Sequence, residues 1–168
     1  GGWRAIIGDE FIKSNITQVA QAVADDMLEH HAADTGIVIG YDRRFLSDTA
    51  AKWIAEVMAG NGIRVHYIGR VCPTPLVMYG VKTLGTRFGM AVTASHNPAD
   101  YNGIKIFTEG GRDADASVTA TFEARMERGV TVKSMGFDDG VARGLICKCD
   151  LYNSYIDSII SMINMDVI

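Results

Sequence analysis

The sequence predicts an α/β protein: a three-layer α/β/α sandwich on a mixed four-stranded sheet, mostly parallel with one antiparallel strand. Three observations carry this. Short β-branched and aromatic runs alternate with segments of helical period. The first three runs begin roughly 25 residues apart, which leaves room for one helix and two short loops, as a parallel βαβ unit requires. A fourth run follows the third after only about nine residues, too few for a parallel crossover, so it must pair antiparallel.

The first amphipathic segment places Ile16, Val19, Ala20, Val23 and Met27 on one face, with Asn15 and Gln18 spaced like a capping box. Strand Ile37–Tyr41 follows Gly36. Ala51, Ile54, Ala55 and Met58 form the next helical face, between a Ser47 cap and Gly60-Asn61-Gly62. In the second strand, 63–68, His66 alternates with Val65 and Tyr67 and reads as structural. The third helix opens at Thr74 with Pro75 in its first turn and runs through Val77, Val81 and Leu84 to Gly85. Strands 88–94 and 104–107 follow. A helix from Asp115 to Arg128 spaces Val118, Phe122 and Met126 four apart. The stretch 136–144 reads as a boundary. Beyond it a helix from Asp150 lines up Tyr152, Tyr155, Ile156, Ile159, Ile160 and Ile163, a face longer than one sheet edge needs. Residues 1–135 are therefore expected to form one domain, and 136–168 a linker and helix leading toward a second.

Composition narrows the function. The 168 residues are 48% hydrophobic and 21% charged, ordinary for one soluble domain with a packed core. Sixteen Lys and Arg against 20 Asp and Glu give a net charge of -4. No broad basic face is expected, which argues against nucleic acid as a partner. No apolar run reaches the ~18 residues of a membrane span. Cys72, Cys147 and Cys149 form neither an even disulfide set nor a Cys-x-x-Cys pair, and read as reduced thiols of a cytoplasmic protein. The chain opens at Gly1-Gly2-Trp3-Arg4 without an initiator Met and ends on the apolar helical pattern of Asp166-Val167-Ile168. A piece of a longer protein is expected.

In open α/β sheets, ligands bind beyond the carboxyl ends of the strands. The strand from Phe88 empties there into Thr93-Ala94-Ser95-His96-Asn97-Pro98-Ala99-Asp100-Tyr101-Asn102-Gly103, with Lys105 on the strand leading back out. A hydroxyl, an imidazole and an ammonium on one loop suit anion chemistry: cations stabilise a phosphoryl group and the hydroxyl carries it. The plain alternative is an ordinary turn, with Ser95 bonded to backbone and Asn97-Pro98 setting the bend. A serine hydrolase fits worse. There is no Gly-x-Ser-x-Gly elbow, and neighbouring side chains on an extended loop point apart.

Thr93-Ala94-Ser95-His96-Asn97-Pro98, followed by Tyr101-Asn102-Gly103-Ile104-Lys105, closely resembles the active-site serine loop of the α-D-phosphohexomutases, the phosphoglucomutase and phosphomannomutase family. Gly1-Gly2-Trp3-Arg4 resembles the end of that family's amino-terminal Gly-Thr-x-Gly-x-Arg segment. Gly40-Tyr41-Asp42-Arg43-Arg44 resembles its Gly-x-Asp-x-Arg segment. The resemblance covers roughly residues 1 to 130 and implies a first domain that interconverts hexose 1- and 6-phosphates, of glucose or mannose, through a bisphosphate. It implies that Ser95 is phosphorylated in the resting enzyme and that an oxygen of phospho-Ser95 helps to hold Mg²⁺. Arg4 and Lys105 would be its charge partners, Lys105 also in proton transfer. His96 would line the pocket, with Asn97 and Pro98 fixing the loop.

Departures from the family pattern are as informative. Its Asp-Gly-Asp-x-Asp metal loop is absent, since neither Asp113-Ala114-Asp115 nor Asp138-Asp139 has that spacing. The sugar-reading and second phosphate-binding loops are missing too. Remaining domains of the same protein are therefore implied as partners, and this chain alone is expected to be inactive. Gly-Gly-Trp-Arg with Ala5-Ile6-Ile7-Gly8 resembles bacterial phosphoglucomutase/phosphomannomutase members more than the phosphoglucosamine branch. The alternative function is a catalytically idle phosphosugar-binding or regulatory domain. Asp42, Arg43 and Arg44 are expected to buttress the serine loop through an Asp–Arg pair. His30-His31 should cap a helix end, and Trp3 and Trp53 should pack.

Overall fold

The computed structural model describes residues 2–163, so Gly1 and the apolar end at Asp166-Val167-Ile168 lie outside the described residues. Strands are β1 (Trp3–Ile6), β2 (Ile37–Tyr41), β3 (Val65–Ile68), β4 (Phe88–Val92), β5 (Tyr101–Thr108), β6 (Arg112–Asp113) and β7 (Ile146–Cys149). Helices are α1 (Lys13–Glu29), α2 (Ser47–Gly60), α3 (Thr74–Leu84), α4 (Ala116–Glu127), α5 (Phe137–Ala142) and α6 (Tyr152–Ser161). The sheet order is β1-β5-β4-β2-β3-β7, with β6 beside β5. β4, β2, β3 and β7 pair in parallel, whereas β5 is antiparallel to β4, β1 and β6.

The α/β class and mixed sheet match expectation, but the sheet has seven strands rather than four. The three additional strands are short. β1 buries only Ala5 and β6 is two exposed residues. β7 is Ile146-Cys147-Lys148-Cys149, with only Ile146 buried. None carries the alternating apolar signal that marks a strand in sequence.

One face of the sheet carries α1, α2, α4 and α5, over a core that includes Ile16, Met27, Ile37, Ile39, Ile54, Met58 and Met90. The other carries α3 and α6 over Val38, Ile68, Leu76, Val77, Val81 and Phe107. Burying each such side chain contributes about 1.5–3 kcal/mol. Contact beneath α3 is unusually close because the sheet and helix meet at glycines. A Cβ on Gly40 would lie 2.6 Å from Cys72 Sγ and Val77, and one on Gly80 would lie 3.1 Å from Val38. A Cβ on Gly89 would run into Val81.

Several local details differ from the sequence pattern. α1 begins at Lys13 without a side-chain cap, and Asn15 instead donates to the Glu10 carbonyl at 2.8 Å. α2 is preceded by Leu46 in the left-handed region, at φ +65°, and Ser47 is its first residue. The Ser47 hydroxyl donates to Asp42 Oδ1 at 2.7 Å rather than capping. The stretch read as a boundary holds α5, whose Phe137 ring meets Tyr67 edge-on at 5.0 Å. β7 then joins β3, so this segment belongs to the same sheet. α3 and α4 start as their sequences indicate: Pro75 sits in the first turn of α3, and Asp115 accepts from Ser117 and Val118.

α6 divides the face expected of it. Tyr155 packs on Tyr79 of α3 at 5.5 Å, with Leu151 and Tyr152 beside it. Ile156, Ile159, Ile160 and Ile163 are exposed, Ile160 by 50%. Among the described residues no helix is long and apolar enough to cross a membrane.

Candidate active site

β4 is buried along its whole length and ends at Val92. Thr93 continues the pairing, donating its N–H to the Gly103 carbonyl at 2.9 Å. The chain then turns sharply. Thr93 Oγ1 accepts the Ser95 N–H at 3.0 Å, and the Asn97 N–H bonds to the Ala94 carbonyl at 3.1 Å. Ser95 takes a left-handed backbone, φ +57°, which costs an L-residue about 1–2 kcal/mol. Its side chain is exposed at the carboxyl end of the sheet. The loop is thus a hydrogen-bonded turn through its backbone while the Ser95 hydroxyl remains open.

His96 is also exposed, and its Nδ1 lies 3.5 Å from Ser95 Oγ. The expectation that these neighbours point apart fails because the left-handed step at Ser95 folds the loop rather than extending it. Asn97 is half-buried and contributes backbone bonds to the turn.

Arg44 secures the loop from below. Its Nη1 donates to the Pro98 and Tyr101 carbonyls at 2.7 and 3.0 Å, and its Nη2 to those of Ser95 and Asn97 at 2.9 and 2.6 Å. Arg44 Nε lies 3.6 Å from Asp42 Oδ2. The Asp–Arg pair expected to buttress the loop is present, and most of its hold is through backbone carbonyls. Asn102, fully buried, completes the support by donating to the Phe45 carbonyl at 3.0 Å and to Ser47 Oγ at 2.9 Å. Sequence reasoning gave Asn102 and Ser47 no role here. The Tyr101-Asn102-Gly103 run was visible, but the 55-residue separation of Asn102 from Ser47 has no local signature.

Arg4 and Lys105 come from adjacent strands. Arg4 pairs with Gly103, two residues before Lys105, while Trp3 and Ala5 turn into the core on the other face. A Cβ on Gly2 would lie 3.3 Å from Lys105 Cγ, so residues 2, 4 and 105 share one face. Gly103 sits between Arg4 and the serine loop. A Cβ there would strike the Trp3 carbonyl and come within 3.1 Å of Arg4 Cα and 3.0 Å of the Thr93 oxygen.

Other nucleophiles are less suitable. Burial pushes the Cys72 and Cys149 thiols up to about 11, which keeps them protonated and unreactive near neutral pH. Among the described residues, no three His, Cys, Asp or Glu side chains gather as a metal site. Asp42 is occupied by Arg44 and Ser47. A hard cation needs several oxygen ligands, more than the carboxylates here gather among the described residues.

The chain resembles known proteins over most of its length. Residues 1–133 match the family model described as phosphoglucomutase/phosphomannomutase, alpha/beta/alpha domain I. A probable phosphoribomutase of Schizosaccharomyces pombe is 42% identical over 115 residues, 66% of this chain and 20% of that protein. A phosphoglucomutase of Staphylococcus saprophyticus is 40% identical over 96 residues, 57% of this chain and 17% of that protein. A crystal structure from Thermus thermophilus superposes with a TM-score of 0.84 at 26% identity, covering 98% of this chain and 35% of the other. The chain thus spans about a third or less of each of these proteins. With the serine loop, the Gly-x-Asp-x-Arg segment and the α/β/α layers all in place, the chain belongs to the phosphoglucomutase/phosphomannomutase family and carries its domain I.

Proposed function

We propose that this chain is the phosphoserine-bearing domain of a phosphohexomutase, and that Ser95 is the residue that carries the phosphoryl group. The observation that supports this most is the placement of Ser95. It is an exposed hydroxyl beyond the carboxyl end of β4, on a loop pinned by Arg44, beside strands that bear Arg4 and Lys105.

In the proposed cycle, the free hydroxyl of a hexose 1- or 6-phosphate attacks phospho-Ser95 in line. The Ser95 Oγ–P bond breaks as the new sugar O–P bond forms. The hydroxyl proton passes to the departing Ser95 oxygen, with Lys105 the candidate to relay it. The resulting bisphosphate turns over in the cleft. Ser95 Oγ then attacks the other phosphorus, the sugar O–P bond breaks, and the proton returns to the sugar oxygen. Arg4 and Lys105 offset the nearly two negative charges of the phosphoserine, while His96 and Asn97 line the pocket.

Mg²⁺ would be held in part by an oxygen of phospho-Ser95 and supplies Lewis-acid and charge-neutralising chemistry when bound. Its remaining ligands, and the groups that read the sugar, would come from domains outside this chain, toward which the helix beyond β7 would lead. Glucose and mannose phosphates are the proposed substrates. Three free cysteines support a reducing compartment, the cytoplasm.

A coupled assay of the full-length protein on glucose, mannose and glucosamine phosphates tests the reading, together with intact mass. Turnover and one labile phosphoryl group, both lost in Ser95→Ala, are the expected results. Sugar-phosphate binding without turnover would instead favour an idle binding domain. The 168-residue chain alone should show no turnover above a Ser95→Ala control.

A further inference from the structure

We propose that Arg44 is a positioning residue for phosphoryl transfer, acting on Ser95 through the backbone of its loop and never touching the substrate. This rests on Ser95 being the phosphoryl carrier.

Four separate carbonyls, those of Ser95, Asn97, Pro98 and Tyr101, accept from the two terminal nitrogens of one guanidinium. A guanidinium offers its donors in a fixed planar fork, whereas an ammonium offers three around a single point. The curve of the loop is therefore moulded to the fork. The fork in turn is held from behind. Asp42 Oδ2 lies 3.6 Å from Arg44 Nε, while Asp42 Oδ1 accepts the Arg44 backbone N–H at 2.9 Å and the Ser47 hydroxyl at 2.7 Å. Ser47 Oγ takes the Asn102 amide at 2.9 Å, and Asn102 Oδ1 accepts the Gly103 N–H at 2.8 Å. This relay ties the loop's support to β5, the strand that also bears Lys105.

The consequence for Ser95 follows from its two peptide groups. Its N–H is held by Thr93 Oγ1 and its carbonyl by Arg44. With both ends fixed, the left-handed backbone is fixed, and the direction of Cβ with it. Planarity sets the His96 N–H antiparallel to the Ser95 carbonyl, and the Ala99 N–H antiparallel to that of Pro98. Both amides therefore point away from Arg44, and neither has an intrachain acceptor among the described residues. Arg44 gathers the negative ends of the loop's dipoles beneath it and leaves two amide donors on the side facing away. An anion on Ser95 gains from that polarity.

Because Arg44 is already committed to four carbonyls and Asp42, its loss should act on the reacting geometry rather than on substrate affinity. The test compares full-length wild type, Arg44→Ala, Arg44→Lys and Ser95→Ala. Arg44→Ala should lose about 100-fold in kcat, the scale of a displaced reacting group, with KM within about threefold, roughly the spread of an unchanged site. Arg44→Lys should be nearly as impaired. Tens of millimolar guanidinium ion should restore part of the Arg44→Ala activity, and ammonium ion should not. The ³¹P resonance of phospho-Ser95 should shift in Arg44→Ala and return with guanidinium.

Wild-type kcat in Arg44→Ala, or a loss confined to KM, overturns the assignment. So does a loss that guanidinium fails to restore in a variant with a lowered thermal midpoint, since that is a purely structural role. Turnover that survives in Ser95→Ala sinks the functional reading itself, whatever Arg44 does.

Discussion

Arg4 and Lys105 face the same side of two neighbouring antiparallel strands, two positions apart along β5, with Gly103 as the direct partner of Arg4. Two cations on one small surface repel each other, and a negative group beside them would relieve that repulsion. In the full-length protein, Arg4→Met and Lys105→Met should each lower kcat/KM by about 100-fold, the scale of one lost charge-stabilising donor. The double variant should fall by less than the product, because both act on one phosphoryl group. A fully multiplicative loss in the coupled assay would show that they serve separate groups.

Gly103→Ala should be destabilising by about 1–3 kcal/mol or more, the range for forced overpacking. The added Cβ meets backbone on both sides, the Trp3 carbonyl and Arg4 Cα of β1 and the Thr93 carbonyl beyond β4, and none can rotate away. Gly69→Ala is the control, since its nearest contact is Lys148 Cδ at 4.0 Å. Thermal unfolding of the two variants should separate them clearly. Similar midpoints would mean that β1 is not held against β5 as described.

Ser95 lies where stability and activity pull apart. Its positive φ suits glycine better than serine. Ser95→Gly and Ser95→Ala should both abolish turnover. Ser95→Ala should change stability by no more than about 0.5 kcal/mol, as an exposed substitution, while Ser95→Gly should be the more stable of the two by up to about 1 kcal/mol. Calorimetry on both variants checks the order. A less stable glycine variant would mean that the left-handed turn carries no strain.

His66 gives a pH dependence unrelated to catalysis. Burial, and then the nearby Arg64, hold its imidazole below the ordinary range, so the folded state favours the neutral ring. An unfolded chain would titrate His66 near its usual value of about 6.5. Its contribution is whole above that value and is lost as pH falls toward the lower, folded pKa. Denaturant midpoints should therefore drop between about pH 7 and 5, and His66→Gln should flatten that part of the curve. An unchanged slope in the variant would assign the drop to other groups.

The larger pattern was legible because it rests on local physics. Spacing of the runs at Ile37, Ile63 and Phe88 indicated parallel pairing, and the short span from Ala94 to Ile104 indicated the antiparallel return. Pro75 and Gly85 marked helix ends by backbone preference, and Asp115 by its side-chain cap. β1 and β7 were hidden because each is four residues with a single fully buried side chain, so the pairing that defines them is entirely long-range. Ser95 and Lys105 were legible as chemistry on one loop. The four carbonyls on Arg44 were not, because acceptors 51 to 57 residues away are backbone atoms, which every residue has.

Where α3 crosses the sheet, valines of the helix stand in gaps left by glycines of β2 and β4, and a valine of β2 stands against a glycine of the helix. Such a fit works like teeth in a rack: sliding α3 by even one residue would drive Val77 or Val81 into backbone. Gradual shear between these two layers is therefore mechanically closed to this domain. Access to Ser95 is accordingly not tuned by a slide of α3 across the sheet.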